Sequence, residues 1–340
     1  MRIVAISDIY MKPEYYQACF ANHPEYELTV VHFGDDNDMG MREIFHQIER
    51  KGPEAVELPE EIYAAVEEAE VLMVHICPVP ASLIARAKKL HTVLTNRGGM
   101  ENIALDAIRA RGITLINNPA HNANGVAELA VGLMITETRN VSRSDRSLHR
   151  GQWRETFDNS ANTWELRGKT VGIVGYGNIG HLVAEKLNAF NCKFLVYDIK
   201  YDEDDDSFDR LPITKVDLPT LMRESDIVTL HVRETKIILD AELLNMMKPG
   251  AFFINTARAH LVDYDALYAI LRDKKIMGAA LEVHPDEPLP PDYPFIGLDN
   301  VTLTSHRGGA TINAYADSPE MLLVDYARLR EGKKPRFRVN

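Results

Sequence analysis

Arg258, Glu287 and His306 are the side chains of this sequence whose types and placement suit a single reaction. Each stands just past an apolar run: Arg258 after AFFINTA, Glu287 after ALEV within HPDEP, and His306 after VTLTS. Ligands of open α/β sheets bind beyond the carboxyl ends of the strands, so parallel pairing of these runs would place all three on one edge. Hydride removal from an alcohol carbon needs a group that takes the hydroxyl proton and gives it back in the reverse direction. Histidine, with an ordinary pKa of roughly 6.5, does both, and a carboxylate such as Glu287 beside it would favour the imidazolium. The planar fork of Arg258 suits a substrate carboxylate and polarises the adjacent carbonyl. Singly, the three read as a surface ion-pair partner, a turn carboxylate beside Pro288 and a strand-end histidine. Together they describe a 2-hydroxy acid site.

The hydride needs a carrier, and GYGNIG at Gly175–Gly180 is where one would bind. Glycine triplets also occur in ordinary turns, so the surroundings carry the argument. Thr170–Val174 reads as a buried parallel strand, His181–Phe190 has the apolar spacing of an amphipathic helix, and Phe194–Tyr197 is a second strand ending in Asp198. In such a βαβ unit Gly175 allows the tight turn, Gly177 lets the backbone approach a pyrophosphate, and Gly180 lets helix pack on strand. Free N–H groups at the helix start face the phosphates. Asp198 would accept from an adenosine ribose, and the acidic stretch Asp202–Asp206 would repel a 2′-phosphate, with Lys200 a minor opposing charge. The cofactor implied is NAD.

The elements that must position these residues fall into two series. Arg2–Ser7, Tyr26–Phe33, Glu70–Ile76, Thr92–Asn96 and Ile113–Asn117 read as strands of a small α/β domain. Asn117–Pro119 punctuates its end, and Asn124-Gly125 precedes a connecting helix over Val126–Asn140. Six further β runs, Thr170–Val174, Phe194–Tyr197, Ile227–His231, Ala251–Asn255, Gly278–Val283 and Val301–Thr304, describe a doubly wound sheet. Thr311–Gly332 reads as helical, interrupted at Pro319, and has no strand of its own to cover, so it is expected to pack back on the first domain. The fold class is therefore α/β: a doubly wound Rossmann-type NAD domain, 120–310, inserted into a smaller flavodoxin-like α/β substrate domain made of 1–119 and 311–340.

Composition narrows the partners. The 45% hydrophobic and 26% charged residues are ordinary for a globular chain. A net charge of −12 argues against nucleic acid, which calls for a basic surface. One basic cluster, Arg139, Arg143, Arg146, Arg150 and Arg154, reads as a solvated helix face rather than an anion site. Cys19, Cys77 and Cys192 have no C-x-x-C spacing, so neither a disulfide framework nor a metal is expected, and a reducing cytoplasm fits. Neither a signal peptide nor a membrane span is indicated.

The ordered segments RGGMENIALDAIRARGITLINNP, NGVAELAVGLM, RGQW, ELRGKTVGIVGYGNIG, NTARAHLVD, GAALEVHPDEP and TSHRGGAT make the chain resemble the D-isomer-specific 2-hydroxyacid dehydrogenases, the family of phosphoglycerate, glycerate, D-lactate and formate dehydrogenases. By that resemblance Arg258, Glu287 and His306 occupy the family's catalytic positions. Asn178, Ile179, Asp198, Thr256 and Glu282 fall where relatives contact the cofactor, and we assign Tyr176, His231, Val232, Ala257, Arg258, His306 and Gly308 to the same site. Gly98 and Gly99, with His75 and Ile76, fall where relatives hold the substrate carboxylate, and Arg97 is assigned beside them. The resemblance also implies a homodimer formed through the helix GVAELAVGLMITETR.

The chain departs from the family in places. LHVRETKIIL is shorter than the usual stretch, Ala259 replaces a glycine beside the arginine, and Glu282 is one methylene longer than the common aspartate. Arg97 and Arg307 stand where relatives carry smaller residues; either they suit a dianionic or phosphorylated substrate, or they point outward or pair with acids. The activity implied is NAD-dependent interconversion of a D-2-hydroxy acid and its 2-keto acid. Formate oxidation is disfavoured because its enzymes carry glutamine at the position of Glu287. The alternative from another class is an NADH-binding, corepressor-like protein with little turnover.

Overall fold

The computed structural model describes residues 1–35, 37–160, 163–200 and 211–340. It divides into two compact units, residues 1–122 with 311–340 and residues 123–310. The acidic stretch Asp202–Asp206 lies outside the described residues.

In the first unit β1 (Arg2–Ser7), β2 (Glu27–His32), β3 (Val71–Val74), β4 (Thr92–Thr95) and β5 (Thr114–Asn117) form a parallel sheet in the order β2-β1-β3-β4-β5. That is the flavodoxin-like order. Alternate residues of β1 feed opposite cores, Val4 and Ile6 on one face and Ile3 and Ala5 on the other, as the two-residue period of a strand requires. The second face is closed by Leu322, Leu323 and Tyr326 of the helix Ser318–Arg330. The segment is helical and interrupted beside Pro319, as read: one helix spans Ile312–Ala316 and the next Ser318–Arg330, with Pro319 in its first turn, where the missing N–H is no loss.

The second unit holds β6 (Thr170–Val174), β7 (Lys193–Tyr197), β8 (Ile213–Lys215), β9 (Ile227–Leu230), β10 (Phe252–Asn255), β11 (Gly278–Leu281) and β12 (Val301–Leu303). All are parallel, in the order β12-β11-β10-β9-β6-β7-β8. This is the Rossmann arrangement extended by one strand. Sequence reading expected six strands; β8 was missed because only three residues pair, against β7. Phe252 and Ile254 enter one core and Phe253 the other, each fully buried ring contributing about 1.5–3 kcal/mol over an exposed one.

Register positions the site. Val174 pairs with Tyr197 on one side and Leu230 on the other, Asn255 with Leu230 and Leu281, and Leu281 with Leu303. The strands therefore end in line, and the residues that follow them share one edge.

Two expectations need correction. The helix after the first unit runs Ala123–Arg139, so Asn124 and Gly125 lie in its first turn rather than before it. The basic cluster is a solvated face only in part: Arg139 and Arg150 are exposed, but Arg143 is buried, with Nη2 2.6 Å from Oε2 of the buried Glu137 and Nε donating to the Asp299 carbonyl at 2.8 Å. Thr302 donates to the other oxygen of Glu137, and Arg154 pairs with Asp299 at 2.8 Å. Burial raises the Glu137 carboxyl, against the opposing pull of Arg143 and Thr302. Gly278 leaves room for this pair, since a Cβ there would lie 2.5 Å from Glu137 Oε2. Among the described residues no helix is long and apolar enough to cross a membrane.

Removing one partner of a buried pair strands the other charge. Glu137→Ala is expected to lower stability by about 3–5 kcal/mol, read as an earlier urea midpoint; an unshifted midpoint would show the pair to be dispensable.

Candidate active site

At the switch point between β6 and β9 the fingerprint turn takes the conformation its glycines permit. Gly175 has φ +96°, and a Cβ there would lie 2.5 Å from Val232 Cγ1 and 2.8 Å from the His231 backbone. A Cβ on Gly180 would collide with the Gly175 carbonyl oxygen, so helix and strand approach closely only without it. A Cβ on Gly177 would meet nothing of the protein within 4 Å. Space rather than packing thus explains the middle glycine, as an approaching pyrophosphate needs.

The helix that follows runs Asn178–Asn188 from an N-cap at Gly177, starting three residues earlier than the sequence pattern suggested because Asn178, Ile179 and Gly180 form its first turn. Its neighbours Leu218–Glu224, Ala241–Asn245 and Tyr264–Arg272 are capped by Asp217, Asp240 and Asp263. No described side chain caps the helix at Asn178. Its N-terminal amides and the helix dipole remain available to an anion.

Asp198 follows β7. Its Oδ2 accepts from the Tyr176 amide at 2.7 Å and its Oδ1 from the Lys200 amide at 2.6 Å. It therefore braces the turn. Past β9, His231 is held by Thr229 Oγ1 at 3.0 Å from Nε2. Its Nδ1 is buried without a partner among the described residues, as is Thr256 Oγ1 past β10. Burial drives the His231 ring down to about 3, so it stays neutral at any working pH. The open glycine, the uncapped helix and the two orphaned polar atoms fit a dinucleotide along this edge.

Beyond β10, β11 and β12 the structure brings Arg258, Glu287 and His306 to one cavity of about 730 Å³. The imidazole Nδ1 of His306 lies 2.7 Å from Glu287 Oε2, while Glu287 Oε1 accepts from the His284 amide at 3.0 Å. Burial alone would raise the Glu287 carboxyl; the hydrogen bonds and charge of His306 and His284 outweigh it and hold the group below its ordinary value. Arg258 Nη1 donates to the Ala257 carbonyl at 2.7 Å, leaving its other N–H groups for a ligand. The Ala259 methyl is buried in the turn beside it. Sequence reasoning missed Tyr264 and His284, which line the same cavity. Tyr264 donates to the Val283 carbonyl at 2.7 Å, and His284 Nε2 lies 2.8 Å from the Thr304 carbonyl. His284 carried a signal, two residues past Glu282 in GAALEVHPDEP.

Glu282 follows β11 at the same edge. It is 2% exposed, and both carboxylate oxygens are engaged, one by the Gly308 amide at 2.5 Å and the other by the Thr304 hydroxyl. Arg307 is exposed.

The first unit places its assigned residues past β3 and β4. His75 Nδ1 lies 2.9 Å from Asp8 Oδ2, which also accepts from the Ile76 amide at 3.2 Å. Burial opposes the ionised Asp8, but the charge and hydrogen bond of His75, with the Met11 and Ile76 amides, hold it below the usual range. Asp8 was another residue that sequence reading passed over, since nothing near it in the chain marks a site. Asn117 Nδ2 donates to the Gly98 carbonyl at 2.9 Å, ordering the Gly98–Gly99 loop. Arg97 lies over Phe45 at 4.6 Å and 3.4 Å from Glu101, while its Nη1 is buried without a partner among the described residues. In the same unit Cys19 and His23 converge on Glu320, whose Oε2 lies 3.4 Å from Cys19 Sγ and 2.8 Å from His23 Nε2.

Residues 131–308 match the family description "D-isomer specific 2-hydroxyacid dehydrogenase, NAD binding domain". The chain belongs to the D-isomer-specific 2-hydroxyacid dehydrogenase family. It is similar to a glyoxylate reductase of Thermofilum pendens, 36% identical over 77% of this chain and 78% of that protein. A hydroxypyruvate reductase of Thermotoga maritima is 37% identical over 75% of this chain and 83% of its own. In fold it is similar to the NAD-complexed D-isomer-specific 2-hydroxyacid dehydrogenase of Lactobacillus delbrueckii ssp. bulgaricus, with TM-score 0.76 over the full length of both chains at 22% identity. The protein is thus an NAD-dependent oxidoreductase interconverting a D-2-hydroxy acid and its 2-keto acid, and the corepressor-like alternative is not favoured.

Gly177→Ala separates ligand space from packing. Its thermal midpoint is expected to stay at the wild-type value, because the added Cβ touches nothing, while NADH binding by fluorescence weakens about tenfold or more. Unweakened binding would remove Gly177 from the cofactor site.

Proposed function

We propose that this family member reduces short 2-keto acids with NADH, using His306 as the proton donor, Glu287 as its partner and Arg258 as the carboxylate anchor. The observation that carries the reading is the 2.7 Å contact between His306 Nδ1 and Glu287 Oε2 in the cavity that Arg258 also lines. With Nδ1 committed to the carboxylate, Nε2 is the nitrogen that hands a proton to the substrate carbonyl oxygen. Glu287 stays ionised, stabilises the protonated ring and fixes its orientation. Arg258 turns its free N–H groups to the substrate carboxylate and draws charge from the adjacent carbonyl. NADH, when bound, supplies the hydride.

For the cofactor we assign the Gly175–Gly180 turn, with Tyr176, Asn178 and Ile179, to the pyrophosphate and Asp198 to the ribose. His231, Val232, Thr256, Ala257 and Gly308 line the same edge for the nicotinamide half. In the first unit His75, Ile76, Gly98 and Gly99 are proposed to hold substrate. Glyoxylate and hydroxypyruvate head the substrate class, since relatives named for them match over most of their length. The three buried, free cysteines suit a reducing cytoplasm.

His306→Gln is expected to lower kcat for keto-acid reduction by about 10²–10⁴-fold, and Arg258→Lys to raise KM through loss of the planar fork. NADH consumption with a panel of 2-keto acids reads both; full activity in His306→Gln, or no turnover by the wild type on any acid, would overturn the reading.

We also propose a homodimer. The apolar face of Ala123–Arg139 is spent inside the second unit, so the surface argument moves to Val141 and Leu148, on one face of the next helix, and to Trp153, 80% exposed. Light scattering at micromolar concentration is expected to give twice the chain mass; a monomer would exclude it.

A further inference from the structure

We propose that Glu282 is a positioning residue that holds the His306 loop. The proposal rests on the reading of His306 as proton donor. Three links from Glu282 reach the loop at even spacing around that histidine. Its Oε2 accepts from the Thr304 hydroxyl, its own carbonyl accepts from the His306 amide at 3.1 Å, and its Oε1 accepts from the Gly308 amide at 2.5 Å. The anchors thus fall two residues before His306, at it, and two residues after it.

The loop needs such support. His306 has φ +52°, a left-handed backbone that a residue with a Cβ adopts only under constraint. Its ring is 43% exposed, so packing alone does not fix the direction of the proton-bearing nitrogen. Glu287 orients the ring, while the residue that anchors the backbone carrying it, Glu282, is 2% exposed, and at Gly308 a Cβ would lie 3.3 Å from Glu282 Oε1 and 3.0 Å from Leu129 Cδ2. The loop is pressed onto the carboxylate, and a side chain at Gly308 would need its neighbours to give by a few tenths of an ångström.

The two oxygens hold Thr304 and Gly308, so loss of either hydrogen bond frees one side of the loop. Glutamate brings one methylene more than the aspartate common in relatives, and its two oxygens reach Thr304 and Gly308 on both sides of His306. The chemistry of Glu282 is therefore expressed through where His306 stands. Displacing a proton donor by a fraction of a hydrogen-bond length slows the chemical step without changing how the dinucleotide binds.

The test uses the full-length enzyme with glyoxylate, NADH and NADH deuterated at the transferred position. Glu282→Ala is expected to lower kcat by about 10–100-fold. Its NADH Kd should stay within about twofold of wild type, and the isotope effect on kcat should rise as the chemical step becomes limiting. Glu282→Gln, which keeps an acceptor for the Gly308 amide, is expected to restore most of kcat, and Thr304→Val, which removes one anchor, to give a partial loss. Should Glu282→Ala fail to fold, the last two variants carry the same comparison. A weakened NADH Kd with unchanged kcat assigns Glu282 to the cofactor and overturns the proposal. So do unchanged kcat and isotope effect across the variants while His306→Gln is inactive. A fully active His306→Gln instead overturns the reading of the site on which the proposal rests.

Discussion

Parallel pairing in register is the constraint on which the second unit depends. Once Val174, Leu230, Asn255, Leu281 and Leu303 lie in line across the sheet, the chain must turn at the same edge after each of them. The glycine turn, His231, Thr256, Glu282 and the His306 loop gather there without any contact along the sequence. Parallel strands must return through crossovers, which places their helices on the two faces and leaves the edge to the turns. Chemistry is thus concentrated where the backbone is free of the ladder.

Electrostatics then fixes those turns. Asp217, Asp240 and Asp263 cap three crossover helices, whereas no described side chain caps the fingerprint helix. Asp198 spends its carboxylate on the amides of Tyr176 and Lys200, Glu282 on the His306 loop, and Glu287 on His284 and His306. These acids act as acceptors for a backbone that the sheet no longer satisfies. A buried polar group without a partner is costly, so each such bond narrows the conformations open to the turn.

Much of this was legible in the order of residues. Strand runs showed as apolar stretches ending at chemistry-bearing residues, and β1 and β6 have the bounds read from sequence. Other elements were hidden for identifiable reasons. β8 pairs through three residues and carries little apolar signal. Arg143 sits in a run of arginines spaced as on a solvated helix, and its burial follows from Glu137, Thr302 and the Asp299 carbonyl, two of them far along the chain. The pairing of Asp8 with His75 joins residues 67 apart, a separation no local pattern reports.

The sequence by itself determined the fold class, the cofactor type and the reaction family, because glycine spacing, strand-end acids and ordered motifs are properties of the covalent chain. It also named Arg258, Glu287 and His306. Only the tertiary structure decided that Glu287 and His306 meet at 2.7 Å, that Glu282 turns to the loop, and that Arg143 is buried. Those outcomes depend on register and on which oxygen reaches which amide, and hydrogen bonds are settled over tenths of an ångström that residue types alone do not encode.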